Sequence, residues 1–534
     1  MRTLNINTLG KITFAISMAM AATDHACSAP SIQTEYGFTA HIGDRSTNTQ
    51  ERISAHRRMI DELAKNDVKW LRIGVDIAIT KYNSPTSITF NEEDWTPAVE
   101  IYNYALAKGM KVFFTAYPAY ELRKLNLSES DFLKSVNFQF SRLATKFPKA
   151  EVWQIYNEAN HAYKDDYSPV CNHTDFTCKN GQAVSVSDSY MNSLRNTIST
   201  AKNAIRSINP TAKITTNAAG GDAYAQLYMS KLEGTLDIFS FDIYPDEYDH
   251  QQNFTSFKST LRTLNNKYGN NFWLVETGKP SSTGACNTES TAHTAEHKKF
   301  LVDLVPAIAE EKVTHALFYE FRDRDTSWIA DCEKHFGIID RHDLQKPAYK
   351  SLLEQMKLFA YMPINSDSAK NSQALSRLNQ AFQTSFGRPP STWEAYNTNY
   401  DGWLRTVASN NNSYDDIVNT NKYWLFSPEG ANERSEVIKR SYQATFGRQP
   451  TTHEISGWSS TNFINYAQIL KNHREWLSTQ EAKTERDETI KRSYQAILMR
   501  QPYPSELASW GAGQATTFDD MVENHRNWRD YNEK

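Results

Sequence analysis

The stretch Val152-Trp153-Gln154-Ile155-Tyr156-Asn157-Glu158-Ala159-Asn160 decides the fold of this chain. Apart from Gln154, its first five residues are aliphatic or aromatic, and such residues suit a buried, pleated strand. The strand pattern then ends abruptly in an amide and a carboxylate, Asn157 and Glu158. α/β barrels keep their functional residues at the C-terminal ends of their strands. A carboxylate in this place could equally open a solvated loop, so the rest of the chain has to distinguish the two interpretations.

A regular alternation of strand and helix patterns surrounds this stretch. Strand-like runs lie at 36–42, 70–75, 111–117, 151–157, 213–219, 236–244, 272–276 and 314–321. Helical patterns lie at about 50–65, 97–108, 129–146, 187–207, 223–232, 254–268, 294–311 and 346–358. This alternation predicts an α/β fold, a (β/α)₈ or TIM barrel, with 152–158 on its fourth strand. An open, doubly wound sheet is the alternative, but it usually has fewer strands, and no glycine-rich phosphate loop follows the first one.

Composition restricts the class of protein. The 534 residues suggest more than one domain, and 39% apolar and 12% aromatic residues are enough for a real core. The formal charge of −4 is close to balance and no Lys/Arg tract is present, so nucleic acid is not an expected partner.

Residues 1–29 have the pattern of a secretory signal peptide. Arg2 and Lys11 are basic, residues 12–22 form a modest apolar run, and small residues follow, with cleavage expected near Ala21 or at the end of the segment. The run is too short to span a membrane, and no other stretch is long and apolar enough for a transmembrane segment. We therefore expect a bacterial protein that is secreted, periplasmic or on the cell surface.

Four cysteines follow the signal segment: Cys171, Cys178, Cys286 and Cys332. They allow three pairings, of which the choice local in sequence is Cys171–Cys178, leaving Cys286–Cys332. A metal site is the competing interpretation, but the spacings are not CxxC-like and no histidine cluster accompanies them. We expect two disulfides that stiffen loops beside the barrel mouth, no metal and no cofactor.

The chain changes character after the barrel, which we expect to occupy residues 30–361. Residues 362–373 are polar and read as a linker. Within 374–534, the segment Ile438–Ala444 recurs as Ile490–Ala496, 52 positions later. With a diverged copy near 381–389, this predicts an all-α domain of three helical repeats.

The repeat segment resembles a helical repeat of unknown function found in exported bacterial proteins. Its shared Trp and Tyr positions are expected to be core, with sugar stacking as the alternative. The pairs His473/Arg474 and His525/Arg526 are expected on helix surfaces. The domain is a candidate for contact with glycan or with the cell surface.

If the barrel is right, the residues at the C-terminal ends of its strands form one site. They are Arg72 on the second strand, Tyr117 on the third, Asn157 and Glu158 on the fourth, Tyr244 on the sixth and Glu276 on the seventh. The two glutamates lie on strands that face each other across the barrel mouth. The other rim acids, Asp76 and Glu320, are expected to contact substrate or support structure rather than to catalyse.

Asn157-Glu158 with Glu276 resembles glycoside hydrolase clan A, and the form of 153–160 is similar to families 39 and 5. The closing stretches 336–340 and 346–349 are also similar to those enzymes, so the resemblance spans about 35–360. It implies that Glu158 is the general acid/base and Glu276 the nucleophile of a retaining enzyme. It further implies that Asn157 binds the sugar 2-hydroxyl, that Tyr244 hydrogen-bonds Glu276 and that Arg72 supports Glu276 electrostatically.

The chemistry fits these roles, because cleavage passes through an oxocarbenium-like state that needs one carboxyl to protonate the leaving oxygen and another to attack. Retention requires the two carboxyl groups to be about 5–5.5 Å apart, and about 9 Å would indicate inversion. Two positions depart from the family pattern: Ala159 where many relatives have Pro, and Asp242 where they often have His. Candidate sugar platforms are Tyr36, Tyr117, Tyr120, Tyr156, Tyr319 and Trp328.

The sequence therefore predicts a secreted retaining glycoside hydrolase, endo-acting on a β-linked polysaccharide. The expected substrate is an exopolysaccharide or biofilm-matrix glycan, or a cell-wall glucan, mannan or xylan. The alternative is a polysaccharide-binding or surface-organising protein whose barrel has lost activity. The presence of both carboxylates favours the enzyme.

Overall fold

The computed structural model describes residues 32–42, 49–75, 77–158, 160, 188–281, 295–324, 334–340, 345–396, 403–460, 465–511 and 516–532. These residues form two compact units, which divide between Ala360 and Tyr361. None of the helices in this described part combines the length and the apolar character needed to cross a membrane.

The first unit is a barrel of parallel strands, as the sequence predicts. The eight strands are Glu35–Thr39, Trp70–Gly74, Lys111–Ala116, Val152–Ile155, Lys213–Thr215 with Asn217–Ala219, Phe239–Asp242, Phe272–Glu276 and His315–Phe318. Neighbours in sequence are neighbours in the sheet, and the first strand pairs with the eighth. The fifth strand is interrupted at Thr216, where its first half pairs with the fourth strand and its second half with the sixth. The two halves of the fifth strand thus link the fourth strand to the sixth and complete the ring.

Helices alternate with these strands. They are Thr49–Lys65, Thr96–Ala107, Glu129–Lys146, Asp188–Arg206, Ala223–Ser230, Thr255–Tyr268, Ala295–Glu310 and Ala348–Phe359. Their bounds agree closely with the helical patterns in the sequence. The sequence did not predict the antiparallel hairpin of Ile79–Ser84 and Ser87–Phe90, nor the short helices Tyr120–Lys124 and Glu247–Gln251.

Large aromatic rings fill the barrel interior below the strand ends. Trp70 meets Trp273 edge to face with ring centroids 4.9 Å apart, and Phe113 lies 6.1 Å from Trp273. The first strand passes close to the second at Gly37, where an added Cβ would lie 2.5 Å from the Cβ of Trp70. The packed floor holds the functional strand ends in fixed positions.

The second unit is all-helical in its described residues. Its helices are Ser368–Phe386, Thr392–Tyr396, Trp403–Asn410, Tyr414–Phe426, Ala431–Phe446, Thr452–Ser459, Tyr466–Leu477, Lys483–Leu498, Pro504–Gly511 and Phe518–Asn532. The first of them begins inside the predicted linker 362–373, which is therefore shorter than expected. Polar composition was misleading there, because Ser368 and Ser372 are both buried and the Ser368 hydroxyl donates to the Asn365 carbonyl oxygen at 2.8 Å.

One ion pair recurs in the turns of this unit. Arg448 donates through both terminal nitrogens to the carboxylate of Glu454, at 3.0 and 2.8 Å. The same fork joins Arg388 to Glu394 and Arg500 to Glu506. Each glutamate also accepts a backbone N–H at the start of its own helix. The Arg of each turn thus belongs to a shared structural motif.

The two repeat histidines are buried, so the expectation of a surface position is wrong for them. His473 is 4% exposed, and the rings of Tyr442, Phe446 and Trp458 surround it at 4.6, 4.8 and 5.0 Å. Burial lowers its pKa to about 4. His525 is equally buried. Both histidines lie on the apolar face of their helices. The prediction assumed that a polar residue would lie on the exposed face.

The shared tryptophans have two different environments. Trp458 and Trp510 donate their ring N–H to Tyr442 and Tyr494, each at 3.2 Å, as core positions would. Trp476 and Trp528, by contrast, are 41% and 51% exposed, so the core assignment does not hold for them.

Candidate active site

The carboxylate of Glu276 is buried at the end of the seventh strand, with 7% of the residue exposed. The Arg72 guanidinium donates to its Oε1, and the Tyr244 hydroxyl donates to its Oε2 at 2.8 Å. Both oxygens are therefore held, and one partner is a full positive charge. Charge-assisted hydrogen bonds of this kind stabilise an ionised carboxylate in a fixed orientation.

Arg72 supports three strand ends rather than facing a substrate. Besides Glu276, it donates to Thr39 Oγ1 at 3.2 Å and to Asn157 Oδ1 at 2.6 Å, and it is only 3% exposed. Burial alone would lower its pKa, but the charge of Glu276 and the hydrogen bond to Glu276 raise it. The predicted electrostatic role toward Glu276 matches this geometry, whereas a direct substrate contact does not.

The side chain of Asn157 has a fixed orientation. Its Oδ1 accepts from Arg72, from Gln154 Nε2 at 2.9 Å and from Asn217 Nδ2 at 3.0 Å. Three donors on one face leave the amide nitrogen pointing away from this network. An amide nitrogen so placed at a strand end can donate to a ligand hydroxyl.

Glu158 follows directly and leaves the strand with a left-handed backbone, φ 47°. Its backbone N–H donates to Asn217 Oδ1 at 2.6 Å. Burial raises the pKa of Tyr117, and Glu276 and Glu158 raise it further. Burial, Glu276 and Glu158 also raise the pKa of Asp242. The two predicted catalytic glutamates therefore share one site with Tyr117 and Asp242.

Asp242 is a second buried acid in this site, 2% exposed. Its pKa lies well above the ordinary value, because burial and then the charge of Glu276 disfavour ionisation more strongly than Arg72 and Asn217 favour it. Its Oδ2 accepts from Asn217 Nδ2. Asp242 occupies the position where the family pattern often has histidine. Its carboxyl group is hydrogen-bonded to the protein, through Asn217.

The candidate sugar platforms divide by exposure. Tyr117 and Tyr244 are each 39% exposed and Tyr120 is 60% exposed, so their rings are accessible. Tyr319 is partly exposed beside Tyr244, with ring centroids 6.5 Å apart. Tyr36 and Tyr156 are buried, at 2% and 1%, and offer no face to a sugar, so the platform expectation is wrong for them. Tyr156 packs against Tyr117 instead, at 6.2 Å.

Several predicted residues lie outside the described residues: Asp76, Ala159, Cys171, Cys178, Cys286, Trp328 and Cys332. The two disulfides therefore stay predictions. Glu320 is described and is buried beneath His41, with 3.4 Å between Oε2 and Nε2. This burial fits a supporting role rather than catalysis.

Two residues central to the site were missed by the sequence analysis. Asn217 on the fifth strand bonds Gln154, Asn157, Glu158 and Asp242. A signal existed for Gln154, because it is a polar residue inside an otherwise apolar strand and needs hydrogen-bond partners when buried. Asn217 offered only a polar side chain inside a predicted strand.

A (β/α)₈ barrel with Asn-Glu just after its fourth strand and a supported Glu at the end of its seventh is the arrangement expected of a glycoside hydrolase of clan A. The sequence agrees with this class: residues 187–357, about a third of the chain, match the glycoside hydrolase 42 family model, described as β-galactosidase. Among the residues that the structure describes, no group of three or more His, Cys, Asp or Glu could hold a metal ion. The partial family match therefore supports a clan A glycoside hydrolase.

Solved structures of three glycosidases are similar at low identity. A family 39 glycoside hydrolase from the gut symbiont Bacteroides cellulosilyticus WH2 is 13% identical, with a TM-score of 0.43, covering 62% of this chain and 66% of that one. A GH5_18 enzyme from Streptomyces cattleya in complex with Manβ1-4GlcNAc is 12% identical, with a TM-score of 0.45 and coverages of 72% and 100%. A GH1 β-glucosidase from Humicola insolens is 14% identical, with a TM-score of 0.43 and coverages of 62% and 98%. No curated protein sequence matches this chain.

Proposed function

We propose that this protein is a retaining glycoside hydrolase that cleaves a β-linked polysaccharide by double displacement, with Glu276 as nucleophile and Glu158 as acid/base. The observation that carries the proposal is the environment of Glu276: a buried carboxylate whose two oxygens are bonded by Arg72 and Tyr244. A nucleophile must be ionised and correctly oriented, and these two contacts favour both.

In the first step, a Glu276 oxygen attacks the anomeric carbon while the bond to the leaving oxygen breaks. Glu158 gives its proton to that oxygen, and the sugar becomes an ester of Glu276. Asn157 donates from its amide nitrogen to the sugar 2-hydroxyl, a contact that gains strength as charge develops on the ring. The three donors on Asn157 Oδ1 fix the orientation of this amide.

In the second step, Glu158 takes a proton from water, and the water oxygen attacks the same carbon. The ester bond to Glu276 breaks, the product keeps its configuration, and both carboxyl groups return to their starting state. As Glu276 leaves, Arg72 and Tyr244 again stabilise its negative charge. This route requires about 5–5.5 Å between the two carboxyl groups.

The test compares wild type with Glu276→Gln on a panel of β-glucans, mannans, xylans, β-galactans and bacterial exopolysaccharides, by release of reducing ends. Wild type should hydrolyse at least one glycan with retention, seen as the product anomer by NMR, and Glu276→Gln should bind it without turnover. Glu100→Gln, which removes an exposed ion pair to Arg57 on the outer helices, is the matched control and should keep full activity. Wild type that binds a glycan but releases no reducing ends would support the inactive binding protein instead.

We further propose that the enzyme is exported and acts on polymer chains internally. The signal-like residues 1–29 support export, and accessible rings at Tyr117 and Tyr120 beside the site support binding of more than one sugar unit. Cell fractionation with N-terminal sequencing tests export. Early release of mixed oligosaccharides, rather than of a single small sugar, tests internal cleavage.

The helical unit is proposed to contact glycan or the cell surface. The exposed rings of Trp476 and Trp528 support this, because both stand at the same place in successive repeats. The full chain and a Trp476→Ala, Trp528→Ala variant should differ in retention on insoluble glycan or on cells. Equal retention would contradict the proposal.

A further inference from the structure

Asn217 is the central hydrogen-bonding residue of the site. Its Oδ1 accepts from Gln154 Nε2 at 2.8 Å and from the Glu158 backbone N–H at 2.6 Å. Its Nδ2 donates to Asn157 Oδ1 at 3.0 Å and to Asp242 Oδ2. All four bonding positions of the amide are thus occupied, and Asn217 is itself fully buried.

This arrangement works only in one orientation of the amide. If the Asn217 amide were flipped, its oxygen would face the oxygens of Asp242 and Asn157, and its nitrogen would face the N–H groups of Glu158 and Gln154. Asp242 and Asn157 are acceptors at this contact, so they select the orientation that presents an oxygen to Glu158.

The Glu158 N–H needs that oxygen. Glu158 has a left-handed backbone, which costs a non-glycine residue roughly 1–2 kcal/mol unless its surroundings fix it. The bond to Asn217 holds this backbone from the fifth strand. A loose Asn217 would therefore let the main chain of Glu158 relax, and the carboxyl group would move with it.

The charges around Asp242 indicate that its carboxyl group is neutral. Glu276 acts on it as a negative charge, and Arg72, the positive charge that acts on it, already pairs with Glu276. One oxygen, Oδ1, is buried and has no hydrogen-bond partner among the residues that the structure describes. A buried carboxylate with a single hydrogen bond would cost several kcal/mol, whereas the protonated form avoids that cost.

We propose that Asp242 is a positioning residue for the acid/base: as a neutral carboxyl group it holds the amide of Asn217, and Asn217 holds the backbone that carries Glu158. The inference rests on the proposed function, because it assigns the effect of Asp242 to the step in which Glu158 donates a proton. Asp242 itself neither attacks the sugar nor protonates the leaving oxygen.

The test uses the dependence of kcat/KM on the leaving group. An aryl β-glycoside with a 2,4-dinitrophenyl leaving group needs no proton from the enzyme, whereas the phenyl glycoside of the same sugar does. The sugar is one that wild type hydrolyses, beginning with the β-galactosides. The variants of the full-length chain are Asp242→Ala, Asp242→Asn, Asn217→Ala and the double alanine variant, with Glu158→Ala as reference.

Asp242→Ala should lower kcat/KM for the phenyl glycoside by about 30–100-fold, a part of the 10²–10⁴ that a positioned acid contributes, and for the dinitrophenyl glycoside by less than about threefold. Asp242→Asn keeps a neutral group with an oxygen toward Asn217, and should recover most of the phenyl glycoside activity. The double alanine variant should be no worse than Asn217→Ala, because both residues act through one chain of contacts.

Three results would overturn the inference. Equal losses on both leaving groups would show a general structural role, and an Asp242→Asn variant as poor as Asp242→Ala would show that the charge is required. Additive losses in the double variant would show that Asp242 does not act through Asn217. Thermal unfolding shows whether each variant is folded. If Asp242→Ala does not fold, the leaving-group dependence of Asp242→Asn and Asn217→Ala tests the inference instead. If wild type hydrolyses no glycoside at all, the proposed function itself fails, a result distinct from these three.

Discussion

Removing the hydrogen bond from Tyr244 to Glu276 changes the site by a single hydroxyl group. Tyr244→Phe removes one hydroxyl, which donates to Glu276 Oε2 at 2.8 Å, and leaves the ring in place. That ring packs edge-on against Phe336 at 5.6 Å and Tyr319 at 6.5 Å, so its position does not depend on the hydroxyl. The Arg72 contact to the other carboxylate oxygen also remains.

The magnitude follows from the kind of bond that is lost. A hydrogen bond to a charged group contributes about 1.5–3 kcal/mol. At about 1.4 kcal/mol for each factor of ten, its loss predicts a decrease in kcat/KM of roughly 10–150-fold. The buried setting places the expected value in the upper half of this range, because water cannot replace the hydroxyl without entering the site.

The assay is kcat/KM on a substrate that wild type hydrolyses, together with thermal unfolding of both proteins. Tyr104→Phe is the matched control, because Tyr104 also donates its hydroxyl to a carboxylate, at 3.0 Å to Asp61, on the outer helices. Tyr104→Phe should leave kcat/KM unchanged. A loss smaller than about threefold in Tyr244→Phe, with the fold intact, would refute the assigned role of this hydroxyl.

Three further predictions concern stability, measured by unfolding of the full-length chain. Lys346→Met should destabilise the barrel by about 3–5 kcal/mol, because it removes the cation that pairs with the buried carboxylate of Asp323 at 2.7 Å. A destabilisation below about 1 kcal/mol would contradict this prediction. Met499→Gly should stabilise the helical unit by about 0.5–1 kcal/mol, because Met499 adopts φ 52° where Gly447 adopts φ 65° in the preceding repeat. Gly447→Ala should destabilise the unit for the same reason. Effects of the opposite sign would refute the comparison. Burial lowers the pKa of His473 to about 4, so the unfolded chain binds a proton at this residue before the folded chain does. Stability should therefore fall as the pH drops from about 6.5 toward 4, and His473→Leu should reduce that fall by about 1–2 kcal/mol at about pH 5. An unchanged pH dependence would contradict the burial argument.

The barrel was predictable because its strands are buried on both faces and its helices are amphipathic, so both patterns are strong in the sequence. The hairpin at 79–90 was missed because most of its residues are at least partly exposed and carry no continuous apolar pattern. Polar residues inside strands were equally hard to interpret. Asn217 could be recognised only once the fourth, fifth and sixth strands were known to meet.

The position of Glu276 at the end of its strand, and of Glu158 and Tyr244 just after theirs, followed from the sequence, whereas their catalytic roles stay predictions. The direction of an aromatic ring was not predictable, because a short sequence pattern does not fix which face of a strand is covered. Tyr156 illustrates this, since it adopts φ 71° and is buried against Tyr117. Arg72 was assigned to the correct partner, but its further bond to Asn157 depends on distances that only the folded barrel provides.

The central claim is that Glu276 is the nucleophile of a retaining mechanism, and trapping of the covalent intermediate tests it most directly. A 2-deoxy-2-fluoro glycoside with a dinitrophenyl leaving group slows the second step more than the first, so the glycosyl ester accumulates. Peptide mapping by mass spectrometry should then place a single added sugar on Glu276. A label on another carboxylate, or products of inverted configuration from an active enzyme, would contradict the account.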